Sequence, residues 1–298
     1  MEIKINDKPA DITLENEKTA GEVIEGLLKW LEGSGESGGQ YISGIEINGK
    51  SYGSLTLDEA FKFPLDTISS MNIKTSSRVE LMLEALLGLK NDFELYESQT
   101  EEEQKKFKLL WEDSAPALFL KEHDRDLFKT AANILAACES SPSGLLQIVL
   151  LIKERIREIE DPAREIKTLY PLLEELAKRL EDMPLDMQTG KDSKAAETVT
   201  IFTSLLEKVF RLIHLLKYFG ADIENIMIPS MNNAEKQKFG DFFGELSTAL
   251  RELLSAFENK DTVLVGDIAE YEISPRVRSL AQVLNEINDP LTRIKPAG

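Results

Sequence analysis

The chain is poor in the residues that build most metal and nucleophilic sites. Its 298 residues include one cysteine, Cys138, and two histidines, His123 and His214. One thiol cannot form an intramolecular disulfide, and a zinc site of the usual kind needs several cysteine or histidine ligands. Neither histidine follows a glutamate by three residues, the spacing that a di-iron helical bundle requires. We therefore expect no metal, no cofactor and no catalytic residue, and we place Cys138 in the core.

Basic residues are scarce as well: 35 lysines and arginines face 53 aspartates and glutamates, which gives a net charge of −18. This charge repels nucleic-acid phosphates and anionic membrane surfaces, and no basic stripe offsets it. Long hydrophobic runs are missing, since the longest, residues 145–152, is far shorter than the roughly 20 residues of a spanning helix. No signal-peptide pattern follows Met1. We predict a cytoplasmic protein with no nucleic-acid and no membrane partner.

The first 75 residues do carry a clear pattern of strands around one helix. Alternating apolar side chains predict strands at residues 1–5 and 12–14, joined by a turn at Asn6-Asp7. Thr19 and Glu22 form a capping box for an amphipathic helix. Later strands are predicted at residues 42–47 and 69–75, and Asn48-Gly49 is typical of a hairpin. Together these elements predict a small mixed sheet over one helix.

The run from Met1 to Leu31 resembles the opening of ubiquitin-like proteins. Met1 to Ile3 match the first strand, Ile12 to Glu15 the second, and Thr19 opens the helix. The resemblance covers about a tenth of the chain and implies a β-grasp fold, which by itself gives no function. Ubiquitin-like modifiers end in a flexible tail with two glycines, whereas this chain continues into helical patterns. We therefore do not expect a modifier.

From Ser77 onward the apolar period changes from two residues to 3.6. Ser77 with Glu80, and Thr100 with Glu103, are capping boxes, and Pro116 and Pro275 are expected to interrupt two of the helices. Helical segments are predicted at about residues 77–90, 101–121, 124–139, 143–160, 163–183, 194–219, 233–258 and 261–288. The predicted fold class is α+β, with a β-grasp domain at residues 1–76 and a mostly antiparallel all-α helical bundle at 77–298.

Three sequence patterns match catalytic motifs in letters but not in context. Residues 44–51 fit the phosphate-loop pattern, yet they alternate as a strand and Tyr52 follows where a helix is required. Residues 35–39 spell a nucleophile elbow, and residues 33–38 a dinucleotide fingerprint, but both lie in a glycine- and serine-rich loop after a helix. We interpret the first as a hairpin and the other two as a loop.

A non-catalytic role in protein–protein interaction, as an adaptor or scaffold of the bacterial cytoplasm, is the function that remains. The acidic surface favours a basic partner protein. One candidate surface is the sheet, with Lys4, Thr13 and Glu46 facing outward. A second is the apolar stripe of the last helix, which either closes the bundle or docks elsewhere. This stripe consists of Val277, Leu280, Leu284 and Ile287.

Two alternatives stay open. A small-ligand-binding protein or enzyme would place a pocket between the bundle helices or at the domain seam. The polar groups to inspect there are Tyr170, Arg211, His214 and Tyr218. A homo-oligomeric structural protein would associate through the heptad seams at residues 166–183 and 199–216.

Overall fold

The computed structural model describes residues 1–14, 16–33, 40–53, 56–137, 142–219, 221–229 and 236–291. A five-stranded sheet near the N-terminus precedes a mostly helical remainder, so the predicted α+β class is confirmed. The chain divides into two compact units, Met1–Ile159 and Glu160–Gly298, which are described separately. The predicted boundary after residue 76 lies inside the first unit, at the passage from sheet to helices.

The sheet of the first unit is mixed. Its elements in chain order are β1 (Glu2–Ile5), β2 (Lys8–Pro9), α1 (Ala20–Gly33), β3 (Gln40–Ile47), β4 (Lys50–Tyr52), α2 (Leu57–Phe61) and β5 (Ser70–Ser77). The strands lie in the order β2-β1-β5-β3-β4. β1 runs parallel to β5, and the other neighbours are antiparallel. Isoleucines of β1, β3 and β5 meet Val23, Ile24 and Leu27 of α1 in one core.

Both hairpins turn through two residues with positive φ, the requirement of a type I′ turn. Asn6 and Asp7 have φ values of 48° and 64°, and Asn48 and Gly49 have values of 51° and 79°. The Asn48 carboxamide oxygen accepts hydrogen bonds from the Ser69 and Ser70 amides at 2.8 and 3.2 Å. The β3–β4 turn is thereby fastened to the start of the central strand β5.

The second strand predicted at residues 12–14 is wrong. Strand β2 is instead Lys8–Pro9, and only the Ala10 amide continues the pairing, by donating to the Ile3 carbonyl at 2.9 Å. Ile12 and Leu14 pack against the core without pairing with β1. Alternation reports the burial of one face, and burial here does not require a strand partner. Glu15 lies outside the described residues.

Five helices complete the first unit: α3 (Arg78–Tyr96), α4 (Glu101–Leu110), α5 (Ala115–His123), α6 (Arg125–Ala137) and α7 (Pro142–Glu160). The capping boxes of Ser77 with Glu80 and of Thr100 with Glu103 are both confirmed. The expected interruption near Pro116 is a short 3₁₀ turn between α4 and α5, followed by Ser114 as the cap of α5. Cys138, which we expected in the core, lies outside the described residues.

The second unit is built on α8 (Pro162–Glu181), α9 (Met183–Gln188), α10 (Asp192–Tyr218), β6 (Met227–Pro229), β7 (Lys236–Lys238), α11 (Phe239–Glu258), α12 (Thr262–Asp267) and α13 (Ser274–Leu291). The prediction that everything after residue 76 is helical is therefore wrong at one place, because β6 and β7 form an antiparallel pair. The helix predicted from residue 233 begins at Phe239. Three-residue strands are too short for their period to appear in the sequence.

Two close contacts hold α9 against α10 and α12. The nearly buried Asp186 carboxylate of α9 lies 2.8 Å from the Lys194 ammonium of α10. Gly266 of α12 faces α9 so closely that an added Cβ would stand 3.0 Å from the Cα and Cβ atoms of Pro184. A glycine is needed at this position because any side chain would meet backbone.

Helices α12 and α13 are joined by a π-helical turn over Ile268–Ile273 rather than by a break. The Ser274 amide donates to the Ala269 carbonyl, five residues back. Pro275 has no amide hydrogen and its ring would crowd the carbonyl four residues back in a regular α-helix. The wide turn directly before it removes that conflict, so the expected break at Pro275 does not occur.

Candidate interaction surfaces

The open face of the N-terminal sheet brings two of the predicted surface residues into one row. Lys4 of β1 is paired with Asn72 of β5, and Asn72 is paired on its other side with Glu46 of β3. Paired residues of neighbouring strands point to the same face, and two strand spacings separate Lys4 from Glu46 by about 10 Å. The sheet therefore presents a cation and an anion on either side of a central amide. We call these three residues the charged row.

Asn72, the central residue of the charged row, is held in place by the first hairpin. The Asn72 amide nitrogen donates to the Asp7 carboxylate at 2.7 Å, and the Asp7 amide donates back to the Asn72 side-chain oxygen at 3.1 Å. Asn6 makes a similar reciprocal pair with Thr75, with both bonds at 2.9 Å. Because turn and central strand are linked by four hydrogen bonds, the Asn72 side chain is preorganised and loses little entropy when a partner binds.

Thr13 does not belong to the charged row. It is exposed, but it lies in the segment after β2 that leaves the sheet, beside α1. A groove of about 460 Å³ separates this segment from the helix. This groove could not be predicted from the sequence, because it depends on how far residues 10–14 stand from α1.

The apolar stripe of the last helix lies in the interior of the second unit. Val277, Leu280 and Leu284 have no exposed surface, and α13 packs along α8. These side chains are therefore not accessible to a partner, and the stripe closes the unit. The side chain of Ile287 lies outside the described residues.

Two of the four polar residues proposed for a ligand pocket lie within hydrogen-bond distance of each other. The Tyr218 hydroxyl and the His214 Nε2 atom are 2.8 Å apart, one turn from each other on α10. Arg211 lies on the same helix, whereas Tyr170 is an exposed residue of α8. The pair forms a local hydrogen bond on the surface of one helix.

A depression in the first unit was not anticipated from the sequence. It encloses about 310 Å³ and is lined by Asp92, Glu103, Lys106, Phe107, Leu110, Trp111 and Ser114. Trp111 is buried, and Phe93 and Phe107 lie against its ring with centroids at 5.6 and 6.3 Å. Burial raises the pKa of the Asp92 carboxyl above its usual range. The only hint in the sequence was the spacing of Phe107 and Trp111 by one helical turn.

Of the sequence patterns that match catalytic motifs, the one at residues 44–51 lies wholly within the described residues. Residues 44–51 form the β3–β4 hairpin, so the hairpin interpretation is confirmed. The glycine- and serine-rich run at residues 34–39 lies outside the described residues. In the described ranges, no three His, Cys, Asp or Glu side chains are grouped so that they could hold a metal ion. None of the described helices combines the length and the apolar character needed to cross a bilayer.

Comparison with known proteins gives two domain matches, one in each unit. Residues 1–77 match a family model described as the TP0873 N-terminal domain, and this range runs from β1 to the end of β5. Residues 164–283 match a domain of unknown function, DUF8042, which spans α8 to most of α13. Each unit thus contains a range that is similar to a described domain family.

One similar whole protein is an uncharacterized protein of Treponema pallidum (strain Nichols). It is 26% identical to this chain over 181 residues, which cover 51% of this chain and 86% of that protein. No solved structure matches the chain.

Proposed function

We propose that this chain is a non-catalytic protein-binding protein, an adaptor or scaffold of the bacterial cytoplasm, and that its N-terminal module has the β-grasp, ubiquitin-like fold. The fold proposal is supported by the strand order β2-β1-β5-β3-β4 with β1 parallel to β5, and by the single helix α1 after the first hairpin. A β-grasp sheet covered by a helix on one side leaves its other side open for a partner.

The charged row is the observation that carries the function. Lys4 and Glu46 stand two strand spacings apart on the open face, the Lys4 ammonium lies 3.3 Å from the Glu2 carboxylate, and Asn72 in the centre is locked by Asp7. Fixed opposite charges orient a partner and reject wrong ones, which is what an interaction surface requires. The row contains no nucleophile and no general base near a cavity, so binding explains it better than catalysis does.

The expected partner is a protein with basic character. The chain carries a net charge of −18, which speeds association with basic surfaces and opposes nucleic acids and anionic membranes. Long-range attraction would come from the whole acidic chain, and the charged row would set the orientation of the bound partner.

Photo-crosslinking tests this proposal. A benzophenone amino acid is placed at Lys4 or Glu46 in the full chain, and at the exposed Asp58 of α2 as a control. We expect one discrete adduct with another protein from the two sheet positions and none from the control. The double variant Lys4→Glu/Glu46→Lys, crosslinked through the exposed Ser51 of β4, which is paired with Glu46, should lose the adduct although its net charge stays at −18. Identical adducts from all positions, or none, would refute the proposal. Adducts of the chain with itself would support a homo-oligomer instead.

Small-molecule binding is a second candidate, favoured by the depression beside Trp111. Aromatic rings together with the carboxylates of Asp92 and Glu103 suit an organic cation. A panel of amines and quaternary ammonium metabolites should then raise the melting temperature of the chain. The shift should disappear in Phe107→Ala and persist in Leu95→Ala, which alters an exposed leucine of α3.

A further inference from the structure

The groove beside α1 has an apolar floor and an acidic rim. Its floor is formed by Ile5, Ala10, Ile12, Leu14, Val23 and Leu27, and its rim includes the carboxylates of Asp11 and Glu17. Most of the floor residues belong to the core of the module or pack directly against it. A ligand in this groove would therefore cover apolar surface that α1 and the segment at residues 10–14 leave open.

One wall of the groove is the segment at residues 11–14, which follows the edge strand β2. β2 is the outermost strand, and after the bond from Ala10 to Ile3 no backbone hydrogen bond joins residues 11–14 to any other described residue. Their side chains alternate between exposed and half-buried, as they would along a strand. Exposed N–H and C=O groups next to an apolar groove are a template for one more strand.

The opposite edge of the sheet lacks these properties. β4 is only three residues long, and Lys50 covers it by placing its ammonium 4.8 Å from the centre of the Tyr52 ring. A short edge strand that carries a lysine discourages strand addition. β2 is shorter still and carries Lys8 and Pro9, so a peptide is expected to pair with residues 10–14 beyond β2 and not with β2 itself.

Gly26 keeps the groove open. It lies inside α1 and lines the groove, and a Cβ built on it meets no atom within 4 Å. A glycine in a helix interior costs about 1 kcal/mol of helix stability relative to alanine. The chain carries this cost at a position where packing does not require a glycine. A side chain there would occupy the volume that a ligand needs.

We propose that this groove binds an extended segment of a partner protein, apolar in its centre and flanked by lysine or arginine, which adds a strand along residues 10–14. At about 3.3 Å per residue, these five residues accommodate a segment of similar length. Alternate side chains of the segment would rest on Val23, Gly26 and Leu27, and its basic ends would meet Asp11 and Glu17. This inference rests on the proposed protein-binding function and gives it a partner of defined chemistry at a second surface.

The test uses the full chain and a fluorescein-labelled heptapeptide, Lys-Ile-Thr-Val-Thr-Ile-Lys, followed by fluorescence anisotropy. Two control peptides carry glutamate at both ends or proline at the centre, since proline cannot supply the strand hydrogen bonds. Gly26→Leu fills the groove. Gly88→Leu is the matched control on α3, where an added side chain also meets open space.

We expect the lysine-flanked peptide to bind, the two control peptides to bind at least about tenfold more weakly, and Gly26→Leu to weaken binding by about tenfold or more. Gly88→Leu should leave the affinity unchanged, and amide exchange at residues 11–14 should slow when the peptide is bound. Absence of binding, equal binding of the glutamate-flanked peptide, or equal affinity of Gly26→Leu would overturn the proposal. Self-association that Gly26→Leu abolishes would assign the groove to a second copy and would also overturn it.

The two proposals fail separately. The double variant Lys4→Glu/Glu46→Lys alters the open face of the sheet and leaves the groove residues unchanged, so peptide binding should persist in it. A crosslinked partner without peptide binding rejects the groove alone. Peptide binding without a crosslinked partner rejects the charged row as the interaction surface.

Discussion

Replacing Leu280 by alanine decides whether the stripe of the last helix is core or docking surface. Leu280 has no exposed surface and lies on α13, which packs along α8. Removing a buried leucine side chain costs the transfer energy of the lost carbons and leaves a cavity, together about 2 to 5 kcal/mol. With about 3 kcal/mol lost from a unit of about 140 residues, the melting temperature of that unit should fall by about 10 °C.

The assay is urea unfolding of the full chain followed by far-UV circular dichroism. The matched control is Leu254→Ala, which removes the same atoms from a leucine of α11 that is 56% exposed. We expect the control to change the free energy of unfolding by less than about 0.5 kcal/mol. The reasoning is refuted if Leu280→Ala unfolds at the same urea concentration as Leu254→Ala. Unchanged stability together with a lost crosslinked partner would make the stripe a docking surface.

Three further predictions concern the turns and contacts that shape the two units. Gly266→Ala should lower the free energy of unfolding by about 1 to 3 kcal/mol because the new methyl group would press on the proline of α9, whereas Gly244→Ala in the open part of α11 should raise it by up to about 1 kcal/mol. Urea midpoints that shift equally in the two variants would contradict this. Asn48→Ala should lower the free energy of unfolding by about 2 kcal/mol, because the variant loses both a residue that tolerates positive φ and the hydrogen bonds to β5, and Asn48→Gly should lower it less because glycine restores the turn. Equal losses in urea unfolding would show that the backbone conformation does not matter. The hydrogen bond from Lys194 lowers the pKa of the Asp186 carboxyl, so the stability that this ion pair contributes is present above the unfolded-state pKa and is lost as pH falls through the folded-state pKa. Asp186→Asn should lack this part of the acid sensitivity, and parallel stability curves of variant and parent from pH 7 downward would disprove the prediction.

Local chemistry made much of the fold predictable from sequence. The boxes at Thr19 and Thr100 satisfy helix N-termini within a few residues, and Asn48-Gly49 supplies the two positive φ values that a tight hairpin needs. None of these depends on distant parts of the chain. The starts of these two helices and the β3–β4 hairpin could therefore be placed correctly.

The errors arose where local pattern and tertiary structure separate. Residues 12–14 alternate because Ile12 and Leu14 reach the core, although no strand pairs with them. Pro275 indicates a helix end in sequence, yet a wide turn beneath it lets the helix continue. In both places the sequence pattern predicted the burial of the side chains correctly and the backbone structure incorrectly.

The candidate surfaces divide in the same way. Lys4 and Glu46 could be placed on one face because strand alternation is a local property, and strand pairing brings them into one row. The groove beside α1 and the depression beside Trp111 could not be predicted. The groove depends on the distance between residues 10–14 and α1, and the depression depends on how α3 packs against α4 and the turn that follows α4.

The π-helical turn keeps buried the residues before and after it, which a regular helix would rotate apart. Val265, Ala269, Ile273 and Val277 follow one another at intervals of four residues, and all are fully buried. In an α-helix each such step overshoots a full turn by about 40°, so three steps would rotate Val277 by about 120° from Val265. The extra backbone between them absorbs this rotation. The π-helical turn thus corrects the rotation of the helix. If the chain were shortened by one residue there, a regular helix could form only by turning the buried residues on one side of the turn away from the interior.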